Sequence, residues 1–279
     1  MAIVTISRGS MSGGAAFARC LGTSLGYPVL AREVLVEAAA RLGVPEDVLR
    51  KNIQSCESFE SLREERSLFL YGLQSALADH CLSGDLVYHG HAGQFLLKGL
   101  PTLLRVRLIA PRSVRIRTLV ERQALDPAAA REYIRNVDQE RVEWTKFVYG
   151  ADWRDPKNYD LVINLQNVSM DTACEMVSHV VKLPAYQTTP AVLEGLRNFA
   201  LACRVQLALA NEPALRGIRF EVRADAGKVE VDWHRAPGAW KAGPSGFPEE
   251  LIQRTAMTVE GVRELTLRLR ESGRHGKVA

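Results

Sequence analysis

The chain has 279 residues, of which 47% are hydrophobic and 24% charged, with a formal net charge of +4. That length exceeds the usual single domain and predicts two units of unequal size, and the composition excludes disordered and fibrous classes. The 36 Lys and Arg are spread along the chain rather than gathered into a block that would follow a nucleic-acid backbone, so no nucleic-acid partner is expected.

The five cysteines, Cys20, Cys56, Cys81, Cys174 and Cys203, are odd in number and widely spaced, as expected of free thiols in a reducing compartment, and the cytoplasm is the expected location. The opening MAIVTISRG has no basic n-region and no h-region, so no export signal is expected. The most apolar later stretch, residues 198–210, contains Arg204 and is too short to cross a bilayer, so no transmembrane segment is expected.

In chain order, residues 2–6 are short, apolar and β-branched and predict a strand, followed by a turn at Ser7-Arg8-Gly9. A helix is predicted from about Gly13, with Phe17, Leu21 and Leu25 on one face and Gly26 as its stop. Helical patterns follow over residues 32–42 and about 59–81, the second with Leu62, Phe69, Leu73 and Leu77 on one side. A buried strand over 85–89 meets Gly90 and another helix, and a third strand over 103–110 meets Pro111 and a helix over 113–125. A fourth strand over 159–164 precedes a helix over about 170–182. This alternation predicts an α/β fold, a parallel sheet covered by helices on both faces.

The stretch LPAYQTTP carries two prolines and no periodicity, which predicts a linker over 184–190 after a first domain of residues 1–183. Beyond it, a helix (191–210), two strands (218–224 and 228–234) joined near Asp225-Ala226-Gly227, a helix (248–259) and a strand (262–269) predict a small α+β domain over 191–270. Residues 271–279 are expected to be a disordered tail. Phe220, Val222 and Ala224 alternate with charged residues and predict one buried sheet face. Trp233 is expected in the core, with Trp240, in a glycine-rich loop, as a contact residue.

Between the first strand and helix lies SRGSMSGGAA, where backbone amides and the helix dipole can hold an anion. Gly9 and Gly14 have the interval of the G-x-x-x-x-G-K-[ST] phosphate loop, but Ala15 and Ala16 stand where its Lys and Ser/Thr belong. A plain tight connection is the alternative reading of the same residues.

VTISRGSMSGG followed by YPVLAREVL resembles the start of the cytidylate kinase-like family, whose members show ISR, then SGG, then a D-R-E triplet. The resemblance continues through VYHGHAG, RVRLIAPRSVRIR and the Asp-x-x-Arg of IRNVDQERVEW to NYDLVINL, about 180 residues. It implies a P-loop nucleotide kinase-like fold and phosphoryl transfer from ATP, with Mg2+ arriving on it, to a nucleoside monophosphate, CMP or dCMP foremost, under a closing lid. By the same resemblance Arg8, Asp138 and Arg141 would be catalytic, the last two on the lid. Arg8, Ser12, Gly13 and Gly14 would line the donor phosphates, with Arg115 in the same cluster. Arg32 and Glu33 would lie near the acceptor, and His91 takes the place of the family's arginine after Gly90. No metal site of the protein's own is expected, because His89 and His91 lack a third ligand at suitable spacing.

Other roles for these residues remain open: Arg8 capping carbonyls, Arg32 and Glu33 as an exposed first-turn pair, Asp138 and Arg141 as an i, i+3 surface pair. Ala31 replaces the triplet's aspartate, His91 an arginine, and Ala15 a residue commonly arginine. Losing one preorganised donor costs about 3 kcal/mol, roughly a thousandfold in rate, so the alternative function is a catalytically impaired, nucleotide-binding regulatory protein. The C-terminal stretch from VQLALANEPALRGIRF to TVEGVRELTLRLR resembles a divergent BON domain, which implies contact with a protein or lipid partner rather than catalysis.

Overall fold

The computed structural model describes residues 2–54, 63–90, 92–234 and 248–270. Cys56, Leu62, His91, Trp240 and residues 271–279 lie outside the described residues. The first part of the chain runs β1 (Ile3–Arg8), α1 (Gly14–Leu25), β2 (Val29–Leu30), α2 (Arg32–Leu42), α3 (Glu46–Gln54), α4 (Arg63–Cys81), β3 (Leu86–Tyr88), α5 (Gly93–Leu96), β4 (Leu103–Ile109), α6 (Arg112–Gln123), α7 (Pro127–Tyr149), β5 (Leu161–Asn164) and α8 (Met170–Val181). The five strands pair in parallel in the order β2-β3-β1-β4-β5.

Strand side chains alternate between faces, and the two faces have different covers. Val4, Ile6, Leu104, Val106, Leu108 and Ile163 pack under Phe17 and Leu21 of α1 and Cys174 and Val177 of α8. On the other face, Ile3, Leu86 and Tyr88 meet Val34 and Ala38 of α2 and Leu73 and Leu77 of α4. At β4 this second face changes character: Arg105 and Arg107 stand in register with Thr5 and Ser7 of β1, where a fully covered parallel strand would present apolar side chains.

Helix α9 (Pro190–Asn211) starts on a proline in its first turn, and Thr189 caps it by accepting the Val192 N–H at 3.2 Å. Its first half, with Val192, Leu196 and Phe199, packs into the core under the large sheet. Ala200 and Cys203 meet Ala78 of α4, and Leu201, Val205 and Leu209 enter a second core with Phe220, Val229, Val231 and Trp233. One helix thus feeds both cores. Strands β6 (Arg219–Asp225) and β7 (Lys228–His234) form an antiparallel hairpin that turns through Ala226 and Gly227, whose φ values of 46° and 85° suit the twist of the strands. After α10 (Pro248–Met257), β8 (Glu264–Arg270) joins β7 in parallel, giving a small mixed sheet in the order β6-β7-β8. Trp233 is 3% exposed and belongs to this core.

Asp79 of α4 ties α9 to α2. Its carboxylate receives Arg41 of α2 at 2.8 Å and Arg204 of α9 at 2.6 Å. The residue is partly shielded, and replacing it takes the carboxylate from Arg204 and leaves Arg41 with Glu37. Asp79→Ala is expected to cost about 1–3 kcal/mol, read as a lower urea midpoint at unchanged slope. Arg204→Met, which leaves the Arg41 pair intact, is expected to cost less.

Candidate functional site

The turn from β1 into α1 is built by glycine where side chains must approach it. Gly13 caps α1 at φ 80°, and Met11 also has positive φ, 59°. A Cβ on Gly14 would stand 2.5 Å from Cδ of Arg8 and 2.8 Å from Nε2 of His89. One on Gly9 would stand 3.0 Å from Oγ of Ser12. The glycines therefore let Arg8 and His89 pack beneath the turn. Ser12 Oγ and His89 Nε2 are buried there with no hydrogen-bond partner among the described residues.

Burial, reinforced by Arg141, pushes the Arg8 guanidinium down to about 10. Burial, followed by the charges of Arg8, Arg141 and Arg19, pushes His89 down to about 3, so its imidazole is neutral at physiological pH.

The α6–α7 hairpin holds the turn from above. Asp126 caps α7 by accepting the N–H groups of Ala128 and Ala129, and Ala130 and Ile134 pack on Leu119 of α6. Asp138 then accepts the Ser10 N–H at 3.1 Å with one oxygen and Arg115 at 2.5 Å with the other, while Arg115 donates to the Ser10 carbonyl at 2.5 Å. Arg141 donates to the carbonyl of Arg8 at 3.0 Å and stands 4.0 Å from Asp138. Asp138 and Arg141 are thus directed at the backbone of the turn more than at each other.

Two cavities border this turn. The first, about 590 Å³, is bordered by Arg8, Arg32, Arg50 and Arg141, by Glu46 and Glu140, and by apolar and aromatic walls that include Leu35, Leu73, Tyr88 and Trp144. The second, about 340 Å³, is bordered by Gly9, Ser12 and Asp138 and by five arginines, Arg107, Arg112, Arg115, Arg135 and Arg154. Trp153 borders both.

Of the residues singled out in the sequence, Arg8, Ser12, Arg115, Asp138 and Arg141 converge at the turn. Arg32 lies at the edge of the first cavity, 76% exposed and paired with Glu46 at 2.7 Å. Glu33 accepts the Ala31 N–H at 2.8 Å and borders neither cavity. Gly13 and Gly14 shape the turn without lining a cavity, and the methyl end of Met170 lies 2.8 Å from where a Gly13 Cβ would be. Among residues that spacing did not mark are Glu46 and Arg50 on α3, Arg107 on β4, and Trp153 and Arg154 after α7. For Arg107 a signal existed, a charge inside an apolar strand run.

The neutral state of His89 has a measurable consequence. Its imidazole titrates near 6.5 when unfolded and near 3 when folded, so between those values the unfolded chain binds the extra proton. Stability therefore falls as pH drops below about 6.5, and the loss continues toward about 3. In thermal unfolding followed from neutral to acid pH, His89→Gln is expected to lose less melting temperature than the unmodified protein in that window.

Residues 3–167 match the cytidylate kinase-like family. An uncharacterised protein from Eubacterium ventriosum is 21% identical, aligning over 64% of this chain and 97% of its own with a TM-score of 0.51. A shikimate kinase from Bacteroides thetaiotaomicron aligns over 65% of this chain and 99% of its own, at 10% identity and a TM-score of 0.41. For a gluconokinase from Sinorhizobium meliloti the values are 70% and 91%, at 16% identity and a TM-score of 0.35. No curated protein matches the chain. Among the described residues no helix is long and apolar enough to cross a membrane. The matched span covers more than half of the chain and contains the glycine turn, both cavities and the α6–α7 hairpin, and the chain belongs to the cytidylate kinase-like family.

Proposed function

We propose that the protein transfers the terminal phosphoryl group of ATP to a nucleoside monophosphate, with CMP or dCMP as the first acceptors to test. The observation that supports this most is a pair of cation-lined cavities that border one glycine turn, with Arg8 at the edge of one and Ser12 at the edge of the other. Transfer between two phosphate-bearing ligands requires that geometry: an oxygen of the acceptor phosphate bonds to the terminal phosphorus as the bond to the bridging oxygen breaks. The protein's part is positioning and charge neutralisation.

In this reading the second cavity takes the donor polyphosphate. Its arginines outnumber its one carboxylate, and the buried Ser12 Oγ has no partner, so a polyanion fits the residues present. Ser12, Arg112 and Arg115 would hold it, with the turn of Gly13 and Gly14 behind. Among the described residues no group of three His, Cys, Asp or Glu could hold a metal ion, so Mg2+ would enter on the nucleotide and screen its oxygens. Arg8 and Arg141, at the boundary, would neutralise charge on the group in transit, and Asp138 would position Arg115 and the turn. Arg32 at the start of α2 would serve the acceptor side, together with His91, and Glu33, which holds the Ala31 N–H, would fix that helix start.

A second reading, a nucleotide-binding regulator with impaired catalysis, draws support from one feature: the Ser10 N–H is already taken by Asp138, in a turn without lysine. There the small mixed sheet of residues 191–270, as a BON-like domain beyond a boundary at 184–190, would meet a protein or lipid partner.

A coupled assay with Mg-ATP and CMP, dCMP, UMP or AMP tests the first reading. Turnover is expected with the cytidine acceptors, and Arg8→Met is expected to lower kcat/KM by about a thousandfold. Calorimetric binding of ATP without turnover of any acceptor establishes the second reading instead, and absence of both binding and turnover removes the two together.

A further inference from the structure

A guanidinium withdrawn from water is costly unless a carboxylate faces it. Arg107, the fifth residue of β4, is 8% exposed, and among the described residues no carboxylate lies within ion-pair distance of it. Its neighbour on the same strand face behaves in the ordinary way: Arg105 pairs with Asp160 at 2.7 Å. Arg107 instead donates one bond to the carbonyl of Trp153 at 2.6 Å and stacks 4.4 Å from the Trp153 ring centre and 5.4 Å from that of Tyr159. Its Nε is buried with no acceptor among the described residues. Burial is the leading cause that holds its pKa below the ordinary arginine value.

The cage around this side chain is itself fixed. Tyr159 Oη donates to the same Trp153 carbonyl at 2.6 Å, and Gln94 donates to Tyr159 Oη at 3.2 Å. Such a cage holds the guanidinium plane in one orientation and leaves it without a direct ion pair among the described residues, with Asp152 and Asp138 acting on it only from a distance. The same side chain borders the second cavity together with Gly9 and Ser12 of the turn. The turn has Ala15 where a phosphate loop has its lysine, so the cation that reaches the phosphates has to come from elsewhere.

We infer that Arg107 is that cation: an arginine supplied by β4, stacked against Trp153, that binds a phosphate oxygen of a polyphosphate in the second cavity in place of the missing lysine. The inference rests on the reading of that cavity as the donor site. It accounts for a buried guanidinium without a direct carboxylate partner among the described residues, since a stacked, desolvated guanidinium is stronger toward an incoming anion than a solvated one.

The full-length protein, unmodified and as Arg107→Met, is titrated with ATP and with inorganic tripolyphosphate by calorimetry, and each apo form is melted. Arg107→Met is expected to weaken ATP binding by roughly ten- to a hundredfold, the range of one charge-assisted hydrogen bond. Its apo melting temperature is expected to hold or rise, because a buried charge without a direct ion pair is gone. Arg107→Lys keeps the charge without the planar fork and is expected to fall between the two in affinity, and it serves where the methionine variant does not fold. Arg105→Lys, on the same face but outside the cavity, is expected to bind as the unmodified protein does. Weakening toward tripolyphosphate as well as ATP places the contact on the phosphate chain, and weakening toward ATP with unchanged tripolyphosphate affinity overturns that assignment. Binding of ATP by Arg107→Met within twofold of the unmodified protein overturns the inference and leaves the donor-site reading standing. So does a large fall in its apo melting temperature with unchanged affinity. Failure of the unmodified protein to bind either ligand removes the donor-site reading itself.

Discussion

The carboxylate of Asp138 accepts the amide of Ser10 and the guanidinium of Arg115 together, and the shape of the glycine turn depends on that shared acceptor. Arg115 also donates to the carbonyl of Ser10, so both polar groups of one backbone residue are tied to the α6–α7 hairpin. Charge-assisted bonds of this kind are among the stronger ones, and with Arg115 only 12% exposed this one is poorly screened by solvent. Arg141 adds a bond to the carbonyl of Arg8, at the other side of Gly9. A phosphate loop with a lysine organises itself around its ligand. This turn is organised by a helix 128 residues away in sequence, which explains how it keeps its shape with alanines at positions 15 and 16.

The same arrangement sorts charge. Around the first cavity, acidic residues accompany the arginines: Arg32 is engaged by Glu46, and Glu140 stands with Arg141 in the wall. Around the second, five arginines border one carboxylate, which is committed to Arg115 and Ser10, and two of the five are engaged from outside the lining, Arg154 by Asp152 at 2.8 Å and Arg135 by Glu132 at 3.4 Å. A ligand with several negative charges gains most in the second cavity, and one with a single phosphate and an uncharged ring suits the first, with its apolar walls. The two cavities thus differ in charge balance through their own side chains.

Much of the sheet was legible because buried parallel strands are short β-branched runs, and Val4, Val87 and Val106 read that way at once. The short elements were not. β2 is two residues long, below any periodicity. α3, with the sequence EDVLRKNIQ, offers Leu49 as its one fully buried side chain among the described residues and reads as polar chain. α7 has 23 residues but buries only Ala130, Ile134, Trp144 and Thr145, so no apolar stripe announces it. The prolines of LPAYQTTP read as breakers, whereas Pro190 occupies the first turn of α9, where its missing N–H costs nothing. At the site, the glycine spacing and the Asp-x-x-Arg pair were visible, but their partnership was not. The contact between Arg115 and Ser10 spans 105 residues, and local spacing carries no record of such a distance.

Helix α9 gives the C-terminal sheet a mechanical connection to the first cavity. α2 begins at Arg32, on the cavity edge, and carries Arg41 near its end, bonded to Asp79. Asp79 also holds Arg204 of α9, and the small residues Ala78, Ala200 and Cys203 let α4 and α9 approach closely. Close-packed helices move as units rather than deform, so sliding α9 along α4 has to break the bond to Asp79 or drag that carboxylate against Arg41. Phe220, Val229, Val231 and Trp233 are fastened to the far half of the same helix. A displacement of α9 therefore bears, through one shared carboxylate, on the helix that carries Arg32.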